Sequence, residues 1–422
     1  MERWPDNSLR HVLVHFMATV AAGGTVIYHL TDGGQTAPAS PVQITDGSGA
    51  ITVNTGPLKF TVSKTAFNIL DQVWLDQNGD SVFDPSEQVI ASSTQNGGVF
   101  GPRAGAGATQ YDSARSAPTV TIEESGPVRS VIKVEAPARF ITTTNHVHGF
   151  AVRIYAFAGK PFVKVDYQLQ NADKTVVRSW PLYFESMNLD FQTALSAPTT
   201  IRVGLGNGSV FSTSNTAGAY LAQEMHNNFK IRNGTTNAVL YDSGTLADSN
   251  GPEGFIDLSG STWGMTAATR NFWQTWPNGL VADAGNKLRV ELFPSWSAQW
   301  YDHQISASGL YWLEDMQNYY KEVMLNFHVG VGTDAEKIGL ARLFQFPPVA
   351  MVPTDWYRQT RATLDLGGVI PPQSTIPSAV AQPLPDYMYP ERYWWISLWY
   401  SPTHTTYGAG FTNFLDTEPG YR

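Results

Sequence analysis

The stretch FAVRIYAFAGKPFVKVDYQLQN, residues 150–171, decides the fold class of this 422-residue chain. Apolar residues alternate partly with polar ones in its first half and regularly in its second, and the AGKP segment between them supplies a turn. An alternation of period two is typical of half-buried β-strands. Similar short runs rich in Val, Ile, Phe and Tyr continue to about residue 330, separated by Gly, Pro, Asn or Asp. The chain is therefore predicted to be mainly β, as a barrel or a sandwich.

Composition narrows the classes of protein that the chain can represent. Hydrophobic residues make up 42 % and charged residues only 15 %, with a net charge of -9. The negative charge argues against a nucleic-acid binder, which needs a basic face. The absence of cysteine excludes disulfides and thiolate metal sites. No apolar run is long enough to span a membrane, and the first residues, MERWPDNSLR, lack the features of a signal peptide.

Helices are expected at one or two places. Thr333 and Glu336 have the spacing of a capping box at the start of a helix. A second short helix is expected within residues 217–229. Residues 367–390 are rich in proline and the tail after them is very aromatic, which together predict an extended C-terminal segment. The apolar face of the helix that begins near Thr333 is predicted to comprise Ile338, Ala341, Leu343 and Phe344.

Several segments resemble one family, the exo-acting rhamnogalacturonan lyases and their YetA-like relatives. They are WPDNSLRHVLVHF (4–16), ITVNTGPLKFTVSK (51–64), YAFAGKPFVKVDYQLQN (155–171), KLRVELFPSW (287–296) and PTDWYRQTRATLDLG (353–367). The resemblance implies a RIFT-type β-barrel in residues 1–175, a central β-sandwich in residues 176–350 and, in residues 351–422, the remnant of a lead-in to an α/α toroid. The family's first strands and the toroid itself have no counterpart in the sequence.

The resemblance also implies a polysaccharide lyase that cleaves acidic, pectin-like glycans by β-elimination. Such an enzyme must neutralise a sugar carboxylate, take a proton and protonate the leaving oxygen. Lys321 is the candidate base, Tyr320 the candidate acid, and Arg270 or Arg289 the candidate partner of the carboxylate. An alternative is that Lys321 is only a solvated neighbour of a buried Tyr320. Tyr301 and His303 complete the candidate catalytic cluster.

Tryptophans in the same part of the chain are candidates for glycan binding. Sugars present apolar faces that stack on aromatic rings, so Trp273, Trp276 and Trp300, together with Arg289, are predicted to contact substrate. The alternative is that these rings fill a large β core.

The segment WLDQNGDSVFDPSEQ, residues 74–88, has the ligand spacing of an EF-hand loop. Positions 1, 3, 5, 7, 9 and 12 of such a loop bind calcium, and the seventh does so through its carbonyl oxygen. A structural Ca²⁺ is therefore predicted, and a hydrated Asx-rich turn is the alternative. The predicted ligands are Asp76, Asn78, Asp80, the carbonyl of Val82, Asp84 and Glu87.

A non-catalytic function is also consistent with the sequence. A low charge and a surface rich in Thr, Ser, Asn and Gly suit an extracellular, cell-surface or virion-surface subunit, such as a filament or phage-appendage protein. The absent first strand would leave an open sheet edge, which a second chain or self-assembly would cover. The expected partner is an acidic polysaccharide or another glycan, with no nucleic acid.

Overall fold

The computed structural model describes residues 2–350 with gaps, so the predicted extension of residues 351–422 lies outside the described residues. The gaps are at 4, 8, 12, 22, 32–33, 35, 94–95, 103–109, 112–117, 138, 143–144, 172–181, 226, 247–250, 296–310, 314–317 and 349.

Strands dominate the described part of the chain. In chain order they are β1 (Glu2–Arg3), β2 (Leu9–His11), β3 (Gln43–Asp46), β4 (Ala50–Asn54), β5 (Leu58–Ser63), β6 (Gln72–Leu75), β7 (Gln88–Ile90), β8 (Gly97–Pro102), β9 (Gln110–Tyr111), β10 (Thr119–Ser125), β11 (Arg129–Ala136), β12 (Arg139–Thr142), β13 (Asn145–Val147), β14 (Gly149–Phe157), β15 (Phe162–Gln170), β16 (Leu182–Gln192), β17 (Thr200–Gly204), β18 (Val210–Ser214), β19 (Ala219–Met225), β20 (Asn228–Asn233), β21 (Val239–Asp242), β22 (Phe255–Ser259), β23 (Trp263–Thr269), β24 (Asn278–Ala282), β25 (Lys287–Phe293), β26 (Tyr311–Leu313) and β27 (Asn318–Val329).

Two nine-stranded sheets form the body of the molecule. Sheet I has the order β10-β11-β14-β15-β27-β23-β22-β17-β18. Sheet II has the order β21-β20-β19-β24-β25-β16-β8-β9, and β26 also pairs with β16. Strands β3 to β7 form a five-stranded sheet in sequence order, and β1-β2 and β12-β13 form separate hairpins. The prediction of a mainly β chain that contains a sandwich is confirmed.

The three large sheets share one hydrophobic core. Phe60 and Val73 reach it from the five-stranded sheet, Val165 from sheet I, and Leu189 and Val290 from sheet II. Strand β15 shows why the sequence folds in this way, since its residues alternate strictly between buried and half-buried positions. The inner faces of the two nine-stranded sheets are thus mostly apolar, with Lys321 as a charged exception, and other charged side chains such as Asp190 and Asp257 occur on the outer faces.

The boundary predicted after residue 175 does not separate two sheets. β15, from the first predicted unit, pairs along its whole length with β27, from the second. Sheet II likewise combines β8 with β16 and β25. The described strands of residues 1–175 are therefore distributed over the three large sheets and the two separate hairpins rather than gathered in a barrel of their own. Long-range strand pairing of this kind leaves no mark in local sequence, which is why the boundary was placed between adjacent runs.

One helix, α1 (Asp334–Gln345), is described, and it confirms the expected position. Thr333 caps its first turn, and the Glu336 carboxylate accepts a hydrogen bond from the Thr333 backbone amide. Ile338 and Ala341 are buried against the outer face of sheet I, where Phe344 also packs. The prediction that Leu343 belongs to the packed face is wrong, since this residue is exposed.

The second expected helix is wrong as well. Residues 219–225 form β19 and residues 228–233 form β20. Pairing of β19 with both β20 and β24 supplies backbone hydrogen bonds on its two sides, and this tertiary context overrides the helix propensity of Ala, Leu, Gln, Glu and Met.

Candidate functional site

The two central catalytic candidates lie on opposite sides of sheet I. Lys321 is 5 % exposed and Tyr320 is 61 % exposed. Successive residues of a strand point to opposite faces, so Lys321 points between the two sheets and Tyr320 points away from them. The alternative derived from the sequence placed Tyr320 in the interior and Lys321 in solvent. Composition alone does not show which face of β27 packs against the core. An acid and a base on opposite faces cannot act on one bound sugar.

Lys321 is held inside the core by groups of the β23–β24 connection. Its Nζ donates to Oδ1 of Asn278 and to the Thr275 carbonyl, 3.3 Å away, and it lies 5.7 Å from the centre of the Phe293 ring. Burial lowers the pKa of Lys321 well below its usual value. A lysine of this kind can serve as a base where it lines a cleft, but here its surroundings are packed side chains.

Arg270 belongs to a cluster of ion pairs on the outer face of sheet I. It pairs with Glu322, which also accepts a hydrogen bond of 2.9 Å from Lys164. Burial would raise the pKa of Glu322, but the hydrogen bonds from Lys164 and Arg270 hold it below its usual value. The Arg270 guanidinium also lies 5.8 Å from the ring of Phe344 in α1. Arg270 therefore neutralises Glu322 and contacts the helix.

Two of the remaining aromatic candidates, Trp273 and Trp276, lie in the described part of the chain. Tyr301, His303 and Trp300 lie outside the described residues. Trp273 is buried and packs over Gly251, where a Cβ atom would collide with the indole ring. Trp276 packs against the main core. The described Trp residues of the prediction thus sit within the protein, as the core-filling alternative expected.

Arg289 is the candidate that the structure places on a different surface, the outer face of sheet II. Its Nε and Nη2 donate to the two carboxylate oxygens of Asp190 at 2.7 and 2.9 Å. Asp190 is fully buried and faces Arg289 directly across the β16–β25 pair. Lys287 approaches the same carboxylate at 3.7 Å. This bidentate pairing fixes the plane and direction of the guanidinium.

A groove of about 420 Å³ runs over this face of sheet II. Four side chains from three neighbouring strands form its floor. Tyr220 lies on β19 and Val281 on β24, whereas Arg289 and Glu291 lie two residues apart on β25. Turns of the neighbouring hairpins form its walls. Those turn residues are Ala217, Gly234, Thr235, Asp283, Ala284 and Gly285.

Glycine at position 279 shapes the floor of the groove. Gly279 faces Glu291 across the β24–β25 pair. A Cβ at this position would collide with the Glu291 carboxylate, so only glycine allows that side chain to lie across β24. Glu291 is mostly buried in this position, and the carboxylate is held close to the sheet instead of extending into solvent.

Sequence reasoning found Arg289 but missed Asp190, Glu291 and Tyr220. The alternation in KLRVELF, residues 287–293, places Lys287, Arg289 and Glu291 on one face, and this signal was available. The partnership with Asp190 was not available, because it depends on which strand lies next to β25.

A second charged cluster lies beneath α1 on the outer face of sheet I. Asp257 is fully buried, and its Oδ1 accepts hydrogen bonds from His328 Nε2 at 2.8 Å, Lys337 Nζ at 2.9 Å and the Thr266 hydroxyl at 2.8 Å. The Ser259 hydroxyl donates to the other oxygen. Burial would raise the pKa of Asp257, but the His328 hydrogen bond and the Lys337 charge hold it below its usual value. Since Lys337 is on α1, the cluster fastens the helix to the sheet.

The predicted calcium loop forms the tip of the β6–β7 hairpin. Asp76 accepts backbone hydrogen bonds from Gly79 at 2.7 Å and from Ser81 at 2.9 Å. Ser81, the sixth residue of the motif, has φ 63°, the conformation for which EF-hand loops use glycine. Glu87 accepts a hydrogen bond of 2.8 Å from the Gln77 amide.

The loop side chains are thus arranged as an Asx-rich turn. Among the described residues, no three His, Cys, Asp or Glu side chains converge as a metal site would require. Calcium binding by this loop stays a prediction, which rests on the EF-hand spacing of its residues. The predicted ligands are Asp76, Asn78, Asp80, Val82, Asp84 and Glu87.

Comparison with known proteins supports a carbohydrate-related domain. Residues 42–189 match the family described as PcRGLX-like protein central beta sandwich domain. This region of the chain is therefore similar to a rhamnogalacturonan-lyase-like β-sandwich, and the resemblance found in the sequence is supported at that level. The matched region begins within residues that the sequence analysis had assigned to a barrel. A search of curated protein sequences gave no match.

Two solved structures that match the chain are distant in sequence. A TPR-domain containing protein from Parabacteroides distasonis matches with 8 % identity and a TM-score of 0.39, over 72 % of this chain and 50 % of that one. The chain thus spans half of that protein's length. A putative aldose 1-epimerase from Klebsiella pneumoniae matches with 11 % identity and a TM-score of 0.41, over 74 % and 91 % of the two chains. Similarity at this level carries no conclusion about function.

The described residues include no helix that is long and apolar enough to cross a membrane.

Proposed function

We propose that the chain is a glycan-binding protein and that its binding site is the groove on the outer face of sheet II. The observation that carries the proposal is the fixed guanidinium of Arg289, held by a buried carboxylate on the floor of a groove of about 420 Å³. Small-molecule sites commonly have this size and contain a few placed polar groups. The carbohydrate-related family match supports the same class of ligand.

The chemistry of the groove suits a sugar ring. Tyr220 supplies an aromatic ring, Arg289 supplies planar donors, and Glu291 supplies acceptor oxygens for hydroxyl groups. Two of the Arg289 donors are used by Asp190, which fixes the plane of the guanidinium. Positive groups at Lys287 and Arg289 are balanced by Asp190 and Glu291. We therefore propose a pectin-type glycan that offers neutral hydroxyls as well as a carboxylate, with the acidic polysaccharide of the sequence prediction as the first ligand to test.

A polysaccharide lyase is the second candidate, because the family match favours it. Lys321 is sealed in the core, so among the described residues it is a poor candidate for the base. Incubation with rhamnogalacturonan would give an unsaturated product whose ultraviolet absorbance rises with time. An ultraviolet absorbance that stays constant with rhamnogalacturonan and with other acidic glycans would contradict lyase activity. The proposal would then be that the chain binds glycans without cleaving them.

The binding proposal is tested by calorimetric titration with a panel of acidic and neutral pectic oligosaccharides. Arg289→Ala should weaken binding about 10- to 100-fold, since a charged hydrogen-bond donor is lost. Arg153→Ala is the matched control. Arg153 forms a similar bidentate pair with Glu123 on sheet I, and its side chain is 35 % exposed, against 36 % for Arg289.

A second variant separates binding from stability. Val281→Phe adds bulk to the floor of the groove and retains both Asp190 and Arg289, and Val and Phe both favour strands. It should weaken binding while the melting temperature stays near the wild-type value. Equal binding by wild type, Arg289→Ala and Val281→Phe would disprove the proposed site.

We also infer an extracellular or surface location, because the chain has few charges, no cysteine and a glycan as its proposed ligand. Fractionation of the source cells, with immunodetection of the protein, tests this directly.

A further inference from the structure

The chain carries an apolar arm near its start. We define the arm as residues 13–31, of which 13–21 and 23–31 are described. Eight of its large apolar side chains are between 42 and 80 % exposed. Soluble monomers rarely expose so many neighbouring apolar groups. These side chains are Leu13, Val14, Phe16, Met17, Val26, Ile27, Tyr28 and Leu30.

The arm also lacks the charges that normally protect exposed strand-like segments. Residues 11–31, HVLVHFMATVAAGGTVIYHLT, contain no Asp, Glu, Lys or Arg. Natural proteins place charged residues or proline on such segments to prevent association. The arm is rich in β-branched and aromatic residues, yet its described residues form no strand. Its sequence is thus suited to adding to a sheet.

A few contacts hold the two limbs of the arm near each other. The Tyr28 hydroxyl accepts a hydrogen bond of 2.8 Å from the Thr19 amide and donates one of 3.2 Å to its carbonyl. The rings of Phe16 and Tyr28 lie 5.1 Å apart. The Gly24 amide donates to the Ala21 carbonyl at the turn. These contacts pre-organise the arm without burying its apolar side chains.

The arm touches the body at one edge of sheet I. His15 Nδ1 lies 2.9 Å from Glu124 Oε1. Glu124 belongs to β10, the terminal strand of sheet I, which among the described strands pairs only with β11. Every residue of β10 is exposed or half-buried, including Val120 and Ile122. An edge strand of this kind is a template for another strand.

We propose that the arm docks on the β10 edge of a second copy of this chain, so that two copies exchange arms. Eight side chains that each expose on the order of 100 Å² would bury roughly the 800 Å² that one partner contributes to a standard interface. In a dimer with two-fold symmetry, the arm of each copy covers the β10 edge of the other copy. One symmetry operation therefore covers both arms and both strand edges. The His15–Glu124 contact can form between copies just as it forms within one.

The first test is the mass of the full-length protein in solution, measured by light scattering and sedimentation from low to high micromolar concentration. The wild type should form a dimer. Leu13→Lys combined with Ile27→Lys should weaken the dimer by roughly 100-fold, because burial of each apolar side chain contributes about a decade or more. Leu343→Lys combined with Phe346→Lys is the matched control, since Leu343 of α1 and Phe346 directly after it are also at least half exposed.

The second test locates the contact. The chain has no cysteine, so single-cysteine variants can be cross-linked cleanly. Val14→Cys and Ser125→Cys are prepared separately, mixed, and treated with a short bismaleimide. Arm exchange should give a cross-linked pair that contains one of each variant, while His15 and Glu124 remain in place.

A wild type that is monomeric over the whole range would overturn the proposal, and would mean that another segment or another protein covers the arm. A dimer that persists in the arm variant, or that fails to cross-link Val14→Cys to Ser125→Cys, would equally overturn it. Melting curves of the arm variant distinguish dimer loss from misfolding, because the substituted residues make no core contact in the isolated chain.

Discussion

The outer faces of sheets I and II are built on the same alternation but serve different purposes. On sheet I, α1 covers the face, and the charges beneath it are buried and mutually paired around Asp257. On sheet II, Asp190 is fully buried, and its partner Arg289 remains one-third exposed at the floor of a groove. Both outer faces therefore carry charged groups, but the helix buries those around Asp257, whereas the groove leaves Arg289 partly exposed.

The largest effect is expected at the buried cluster of sheet I. Asp257→Ala should lower the free energy of unfolding by about 3–5 kcal/mol, because it leaves Lys337 buried without its counter-charge. Urea unfolding followed by circular dichroism measures this. Asp242→Ala is the control, since that carboxylate is on the surface of β21. Equal stability of the two variants would show that α1 does not depend on the cluster.

The Asp257 carboxyl also predicts a pH dependence. Its folded pKa is below the ordinary value, so the unfolded state binds the proton more readily. Its contribution to stability is present above the unfolded pKa and is lost as pH falls through the folded pKa. The wild type should therefore lose more stability below about pH 4 than Asp257→Ala does.

A somewhat smaller effect is expected at Lys321, between the two sheets. Lys321→Ala should cost about 2–4 kcal/mol through the cavity it leaves, whereas Lys321→Met should cost less than about 1.5 kcal/mol because it keeps the volume. Burial lowers the folded pKa of Lys321, so the unfolded state binds more protons and wild-type stability should rise as pH approaches 10.5. Lys321→Met should remove this rise. A pH profile unchanged by that substitution would contradict the assigned burial.

The calcium loop extends the comparison to the five-stranded sheet. If the loop binds Ca²⁺, an excess of 100 times the dissociation constant should stabilise the fold by about 2.7 kcal/mol. Removal of the ion with a chelator should lower the melting temperature, and Asp80→Asn should reduce the difference. A melting temperature that is the same with calcium and with chelator would favour the Asx-rich turn without a bound ion.

The smallest effects are expected at the paired carboxylates of the outer faces. Asp190→Asn should cost about 1–3 kcal/mol, because a fully buried charge partner of Arg289 is lost. Glu123→Gln should cost less than about 1 kcal/mol, because the Arg153–Glu123 pair is exposed to solvent. Only Asp190→Asn should also weaken glycan binding. Similar losses at both sites would remove the distinction between the two faces.

Local features were predictable from the sequence. The alternation of β15, the capping box of Thr333 and Glu336, and the ligand spacing of residues 76–87 all depend on residues a few positions apart. Such short-range patterns are determined by backbone geometry and by contacts within one element. They were sufficient for the mainly β class and for the position of α1, while Arg289 as a site residue stays a prediction.

Tertiary structure alone decided how those elements combine. Alternation shows that Tyr320 and Lys321 face opposite ways, but only the pairing of β27 with β15 and β23 shows that Lys321 is the one inside. In the same way, Arg289 acquires its orientation from Asp190, which is distant in sequence and adjacent only because β16 pairs with β25. The physical reason is that strand neighbours are selected by burial of a shared core, and that choice is a property of the whole chain.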